Sequence, residues 1–201
     1  MSSLTDQVGI TRQLAELNRF IQTACAFTGP RPERLPWRTN ETDPACIALK
    51  EVLAEEIKAL SDEGIVNFLS GMAQGVDQYC AAAVLALREN NSKIRLHCIL
   101  PCISQTDKWA ARARVQYRAI LDQADSIVYV SREEHSESMM ARNHFLVNYS
   151  AVLLAVYHDN GIRRSGTAAT VRYARKQGRR LIAIDPDTLQ ITREGSAHRQ
   201  N

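Results

Sequence analysis

Six short apolar runs, at 24–28, 65–70, 94–100, 126–130, 151–157 and 181–184, dominate the patterning of the chain, each rich in β-branched residues and bounded by turn formers. They are mostly continuous rather than alternating, as expected of strands buried on both faces of a parallel sheet covered by helices. Between them the apolar period changes to that of a helix: Val76, Tyr79, Cys80, Ala83, Val84 and Leu87 fall on one face. Leu49, Val52, Leu53, Ile57 and Leu60 repeat the pattern after Asp43-Pro44, a cap and first helical position, and Gly64 supplies the stop. Further helices are expected over 107–122, 137–150 and 167–177, the last closed by Gly178, and a polar-faced helix near 6–21 precedes the first strand. Strand and helix thus alternate. Right-handed crossovers turn that order into an α/β fold, a doubly wound, mostly parallel sheet of about six strands with helices on both faces.

The 201 residues, 45% hydrophobic, suffice for a full core, since domains of about 150 residues already bury roughly 70% of their unfolded surface. The expected organisation is a helical N-terminal extension over 1–22, one domain over 23–186 and a C-terminal tail over 187–201. The polar start lacks a basic-then-apolar leader, and no apolar run nears the roughly 20 residues of a membrane span, so a cytoplasmic protein with no membrane partner is expected. Five cysteines are an odd count, and Cys25, Cys80 and Cys98 lie inside apolar segments where a thiol acts as a small hydrophobe, which fits a reducing compartment. Cys98 and Cys102 have no second Cys/His pair at ligand spacing, so no metal site and no cofactor is assigned.

The net charge of +3 is unevenly spread, because residues 163–201 hold nine Arg and Lys (Arg163, Arg164, Arg172, Arg175, Lys176, Arg179, Arg180, Arg193, Arg199) against three acids. Such an end attracts polyanions by counterion release. The plainer reading is a solvated helix face and a loose tail.

Ligands on doubly wound sheets bind beyond the carboxyl ends of the strands, where the strand order reverses, so function is expected in the strand-to-helix loops. The first, Thr28-Gly29-Pro30-Arg31-Pro32-Glu33-Arg34-Leu35-Pro36-Trp37, is stiffened by its prolines and holds two arginines, either as a structural loop or for bidentate recognition of phosphate or carboxylate. The second, Ser70-Gly71-Met72-Ala73-Gln74-Gly75-Val76-Asp77, opens the best helix. Its glycines would let a ligand approach the helix-start amides, where the dipole favours an anion. Its spacing is neither the dinucleotide fingerprint nor a Walker loop, which disfavours NAD and ATP hydrolysis. Asp77 is either a first-turn acid or a ligand-hydroxyl acceptor.

The third loop, Ser165-Gly166-Thr167, again opens a helix with small residues, and two such loops are expected to converge on one ligand. In Met139-Met140-Ala141-Arg142-Asn143-His144, Arg142 and Asn143 are expected at the pocket mouth, while Gln105 and Trp109 could flank a base, Trp109 equally being a core plug.

Taken in order, the segment from Cys25 to Trp37, Phe68-Leu-Ser-Gly-Met-Ala-Gln-Gly-Val-Asp, Pro101 with Gln105 and Trp109, Arg142-Asn143, and Ser165-Gly-Thr resemble the YpsA-like branch of the SLOG superfamily over residues 23–186. The resemblance implies a Rossmann-like α/β fold, a nucleotide-derived ligand and a homodimer, and carries no settled activity. Ligand-binding residues on this reading are Thr28, Gly29, Arg31, Ser70, Gly71, Met72, Ala73, Gly75, Asp77, Gln105, Trp109, Arg142, Asn143, Ser165, Gly166 and Thr167. Pro30 stands where relatives carry histidine, and Ser165 replaces the first of two glycines.

The superfamily's phosphoribohydrolases carry a glutamate where this chain has Thr170, and a threonine cannot supply the charge that stabilises a cationic sugar transition state. The expected function is therefore binding or sensing of a phosphate-bearing, nucleotide-like small molecule. The alternatives are N-glycosidic hydrolysis, with Asp77 or another acid in place of the glutamate, and single-stranded nucleic-acid binding through the basic C-terminal region.

Overall fold

The computed structural model describes residues 4–133, 135, 137–158 and 165–195. Its strands and helices run α1 (Leu4–Gln22), β1 (Ala24–Thr28), α2 (Pro44–Asp62), β2 (Asn67–Ser70), α3 (Val76–Asn90), β3 (Arg95–Leu100), α4 (Ala111–Leu121), β4 (Ser126–Tyr129), α5 (Ser138–Asn148), β5 (Val152–Val156), α6 (Gly166–Lys176), β6 (Arg180–Ile184) and β7 (Ile191–Glu194). The sheet order is β4-β3-β2-β1-β5-β6-β7, parallel except for the antiparallel β6–β7 pair. The six expected strands and the helices between them are all present, giving a Rossmann-like α/β fold.

Local chemistry sets the element ends. Asp43 caps α2 by accepting from the Ala45 amide at 2.9 Å, with Pro44 in the first turn, and Gly64 leaves the helix at φ +100°. Ser165 caps α6 by accepting from Ala168 N at 3.0 Å, and Gly178 follows at φ +65°. The helix expected over 107–122 is shorter in the structure. A 3-10 turn over Ile103–Thr106 precedes α4, which starts only at Ala111.

Apolar faces divide into two layers. Leu49, Leu53 and Ile57 of α2, Val76, Cys80 and Val84 of α3, and Tyr117 and Ile120 of α4 cover one side of the sheet. Leu146 and Val147 of α5 and Val171 and Ala174 of α6 cover the other. Phe20, at the end of α1, joins this second layer edge-on to His97. All five cysteines are buried and unpaired. Burial pushes the Cys25 and Cys98 thiols up to about 12, so both are inert packing groups at neutral pH.

Two expectations change. The 126–130 run does not become a strand buried on both faces: β4 is the sheet edge, and Ile127, Val128 and Tyr129 are 42%, 36% and 47% exposed. The loose tail contains β7, which pairs with β6 along all four residues, with Ile191 and Glu194 half-buried and Thr192 and Arg193 exposed. In four residues of Ile-Thr-Arg-Glu there is little apolar signal to separate an edge strand from coil. Among the described residues no helix is long and apolar enough to cross a membrane.

Candidate functional site

The strand order reverses between β1 and β5. From β1 the chain crosses to β2 under α2, on one face of the sheet, whereas β5 connects to β6 under α6, on the other. The loops leaving β1 and β5 therefore diverge and open a crevice at the carboxyl ends of adjacent strands. A cavity of about 460 Å³ lies there, within the range of small-molecule sites.

Its walls come from four elements. The β1 loop supplies Thr28, Gly29, Pro30, Arg31, Glu33 and Arg34; α5 supplies Met139, Arg142 and Asn143; Ser165, Gly166, Thr167 and Ala168 open α6. Phe27, Val156, Tyr157 and Pro186 add apolar surface, and Ala73 and Asp77 reach in from the β2–α3 connection.

Ten of the expected ligand-binding residues thus share one cavity: Thr28, Gly29, Arg31, Ala73, Asp77, Arg142, Asn143, Ser165, Gly166 and Thr167. Ser70, Gly71, Met72, Gly75, Gln105 and Trp109 are outside its lining, and each has packing work instead. Ser70 Oγ donates to the Asp77 carbonyl and accepts from Met72 N, pinning the loop to the helix start. A Cβ on Gly71 would lie 1.5 Å from Arg142 Nη1, so the space above this glycine belongs to the guanidinium and not to an approaching phosphate. Met72 is fully buried at φ +56°, and Gly75, at φ +88°, backs onto the Pro30 carbonyl and Pro32. Gln105 Nε2 donates to Gly71 O at 3.2 Å, and half-buried Trp109 packs edge-on to Tyr117.

At the floor sits a buried ion pair. Arg142 Nη1 donates to Asp77 Oδ2 at 3.3 Å, and both side chains are under a tenth exposed. Burial pushes the Asp77 carboxyl up despite the pull of Arg142, the Ala73 amide and nearby Arg31. Burial likewise lowers the Arg142 pKa against the pull of Asp77. Desolvation outweighs the attraction on both sides, as is common for ion pairs removed from water. The guanidinium nevertheless stays charged, since its ordinary pKa lies far above neutral. Its Nε has no partner among the described residues, so Arg142 keeps a buried donor unspent in a residue that lines the cavity.

Around this floor the groups facing inward favour an anion. Arg31, Arg34 and Arg142 outnumber Glu33 and Asp77 in the lining, and the first turn of α6 forms part of the wall. Thr170, in contrast, is buried and donates to the Gly166 carbonyl at 2.9 Å, so the position offers neither charge nor access. Tyr157, His158 and Pro186, which follow β5 and β6, also line the cavity and carry no motif in the sequence. Their one signal is a place at or just beyond the end of an apolar run, and it becomes useful once β5 is known to neighbour β1.

Of the six described basic residues in the C-terminal region, three are paired with acids. Arg175 pairs with Glu194, Arg180 with Glu63 and Arg193 with Glu56. Arg163, Arg164 and Arg199 lie outside the described residues.

Comparison with known proteins gives a consistent family. The model of the YspA SLOG family matches residues 25–189. The SPbeta prophage-derived protein YoqJ of Bacillus subtilis is 29% identical over 160 residues, 72% of this chain and 92% of that protein. A UPF0398 protein of Halalkalibacterium halodurans is 28% identical over 114 residues, 56% of this chain but only 60% of its own length. Among solved structures, DNA processing protein A from Helicobacter pylori, described for its single-stranded DNA binding mode, superposes with a TM-score of 0.54 at 19% identity. That superposition covers 84% of this chain and 67% of that one. At such identity the likeness is one of fold.

Proposed function

The chain belongs to the YspA SLOG family, and from that premise together with the crevice between β1 and β5 we propose that it binds a nucleotide-derived, phosphate-bearing small molecule. The observation that carries the reading is convergence: Arg31, Arg142 and the amide end of α6 come from three separate crossovers and line one cavity. A phosphate between them gains charge-assisted bonds from guanidinium groups and the favourable helix dipole. Pro30, Met139 and Ala168, half-buried in the lining, offer the apolar surface that a base or sugar needs beside it.

Two other readings have less support. N-glycosidic hydrolysis in the manner of related phosphoribohydrolases would use a carboxylate where buried Thr170 stands, and of the acids lining the cavity Asp77 is committed to Arg142. Single-stranded nucleic-acid binding draws on the fold likeness to the H. pylori protein. Against it, three of the six described basic residues of that region, Arg175, Arg180 and Arg193, are held by Glu194, Glu63 and Glu56.

Calorimetric titration with a nucleoside 5′-monophosphate, the parent nucleoside and inorganic phosphate tests the proposal. The monophosphate should bind and the nucleoside should lose most of the affinity. Arg31→Ala, which removes an exposed guanidinium, should weaken monophosphate binding by about 10- to 100-fold, the scale of one charge-assisted hydrogen bond. Equal affinity for nucleoside and monophosphate would refute the phosphate site.

A further inference from the structure

On the rim of the same cavity, beyond the anion-facing wall, three side chains with metal-ligating chemistry meet at the ends of two neighbouring strands. His158 follows β5 and lines the cavity; Asp185 and Asp187 follow β6 and flank Pro186, which also lines it. His158 Nδ1 lies 3.2 Å from Asp185 Oδ2, and Nε2 lies 3.7 Å from Asp187 Oδ2. One ligand atom from each of the three lies within 4.8 Å of the others.

The two carboxylates have different roles. Asp185 Oδ1 accepts from the Asp187 and Thr188 amides at 2.9 and 3.0 Å, which fixes the turn, while its Oδ2 holds the imidazole Nδ1. A carboxylate on one ring nitrogen orients the other toward a cation, the usual outer-shell device of a histidine ligand. Asp187 is free of that task, and its Oδ2 stands 3.7 Å from Nε2. Two atoms bound to one ion at about 2.1 Å each would sit roughly this far apart.

We propose that His158 Nε2 and Asp187 bind a divalent cation of the Mn²⁺ or Zn²⁺ type, with Asp185 positioning the imidazole, and that the cavity's ligand completes the coordination through its phosphate oxygens. This rests on the reading of the cavity as a phosphate site. Imidazole with carboxylate suits first-row transition ions, and sites with few protein ligands recruit substrate phosphates to fill the shell. Arg142, held by Asp77 at 3.3 Å, lines the same cavity and adds positive charge to it. Cation and guanidinium would then both attract the phosphate in one cavity. The exposure of Asp187 leaves a route for the ion.

The test uses the full chain. Free Mn²⁺ is followed by electron paramagnetic resonance during titration, with and without a nucleoside 5′-monophosphate, and monophosphate binding is measured separately in EDTA. Wild-type protein should take up Mn²⁺ weakly alone and about 10-fold more tightly with the nucleotide, within the usual ~5–150-fold range of coupled sites. Asp187→Asn and His158→Ala should each abolish that gain. If Mn²⁺ and Zn²⁺ bind wild type no better than Asp187→Asn while the nucleotide binds in EDTA, the cluster is only a carboxylate clamp on an imidazole and the metal proposal fails alone. If Mn²⁺ binds but no nucleotide does under either condition, phosphate coordination is overturned together with the function proposed above.

Discussion

Arg142→Ala is expected to melt about 6–20 °C below the wild type near pH 8, which is what removing one partner of a buried pair, about 3–5 kcal/mol, means for a chain of this size. The substitution deletes the group that fills the space above Gly71 and leaves Asp77 with the Ala73 amide and the more distant Arg31. The pH dependence has a definite sign. Asp77 already titrates above its ordinary value in the folded chain, because burial outweighs its partners. Its contribution to stability is thus fully present below the unfolded carboxylate range, about 4, and is lost as pH rises through the raised folded value. Removing Arg142 raises that value further. The deficit of the variant should therefore be smaller at pH 4 than at pH 8, as read by thermal unfolding at the two pH values. A deficit independent of pH would mean that the ionisation of Asp77 is not what the arginine offsets. Nucleotide binding should fall in the same variant, measured below its melting range.

Gly75→Ala should be comparably damaging for a backbone reason. Gly75 sits at φ +88° and ψ −129°, a region nearly closed to residues with a Cβ, and the added atom would lie 2.8 Å from the Pro30 carbonyl. The far side of that contact is a proline-rich segment with little freedom to shift. Backbone strain and overpacking together suggest a loss of about 2–6 kcal/mol. Because Pro30 precedes Arg31, relief of the clash should also move the arginine and weaken nucleotide binding. Gly166→Ala is the matched control: nothing lies within 4 Å of its built Cβ, so its effect on melting should be a few degrees at most. Similar losses at both positions would contradict the assignment of Gly75 to close packing.

These two residues also mark where the sequence was and was not legible. Continuous apolar runs fix buried strands, and caps such as Asp43 and Ser165 fix helix starts, so the alternating order could be read directly. The adjacency of β1 and β5 could not, because it is a property of the crossovers and leaves no local trace. The loops after β1 and β5 were each legible as ligand-facing, yet only the strand order explains why they face each other. The 70–77 loop illustrates the opposite case. Its glycines suggested an open cradle for phosphate, but a glycine admits any close neighbour, and here the neighbours are the Arg142 guanidinium and the Pro30–Pro32 backbone. Composition could not distinguish a ligand from a side chain arriving from α5, 65 residues away in sequence. The His158, Asp185 and Asp187 cluster was likewise hidden, being assembled from the ends of two strands.

The central claim is that the crevice between β1 and β5 holds a phosphate between the β1 loop and the start of α6. Backbone amide chemical shifts, followed by NMR during titration with a nucleoside 5′-monophosphate, report this location residue by residue. Saturable shifts should concentrate at Gly29, Arg31 and 165–168, with β4 and the outer face of α2 unchanged. Shifts confined to other surfaces, or no saturable shift at millimolar nucleotide, would contradict it.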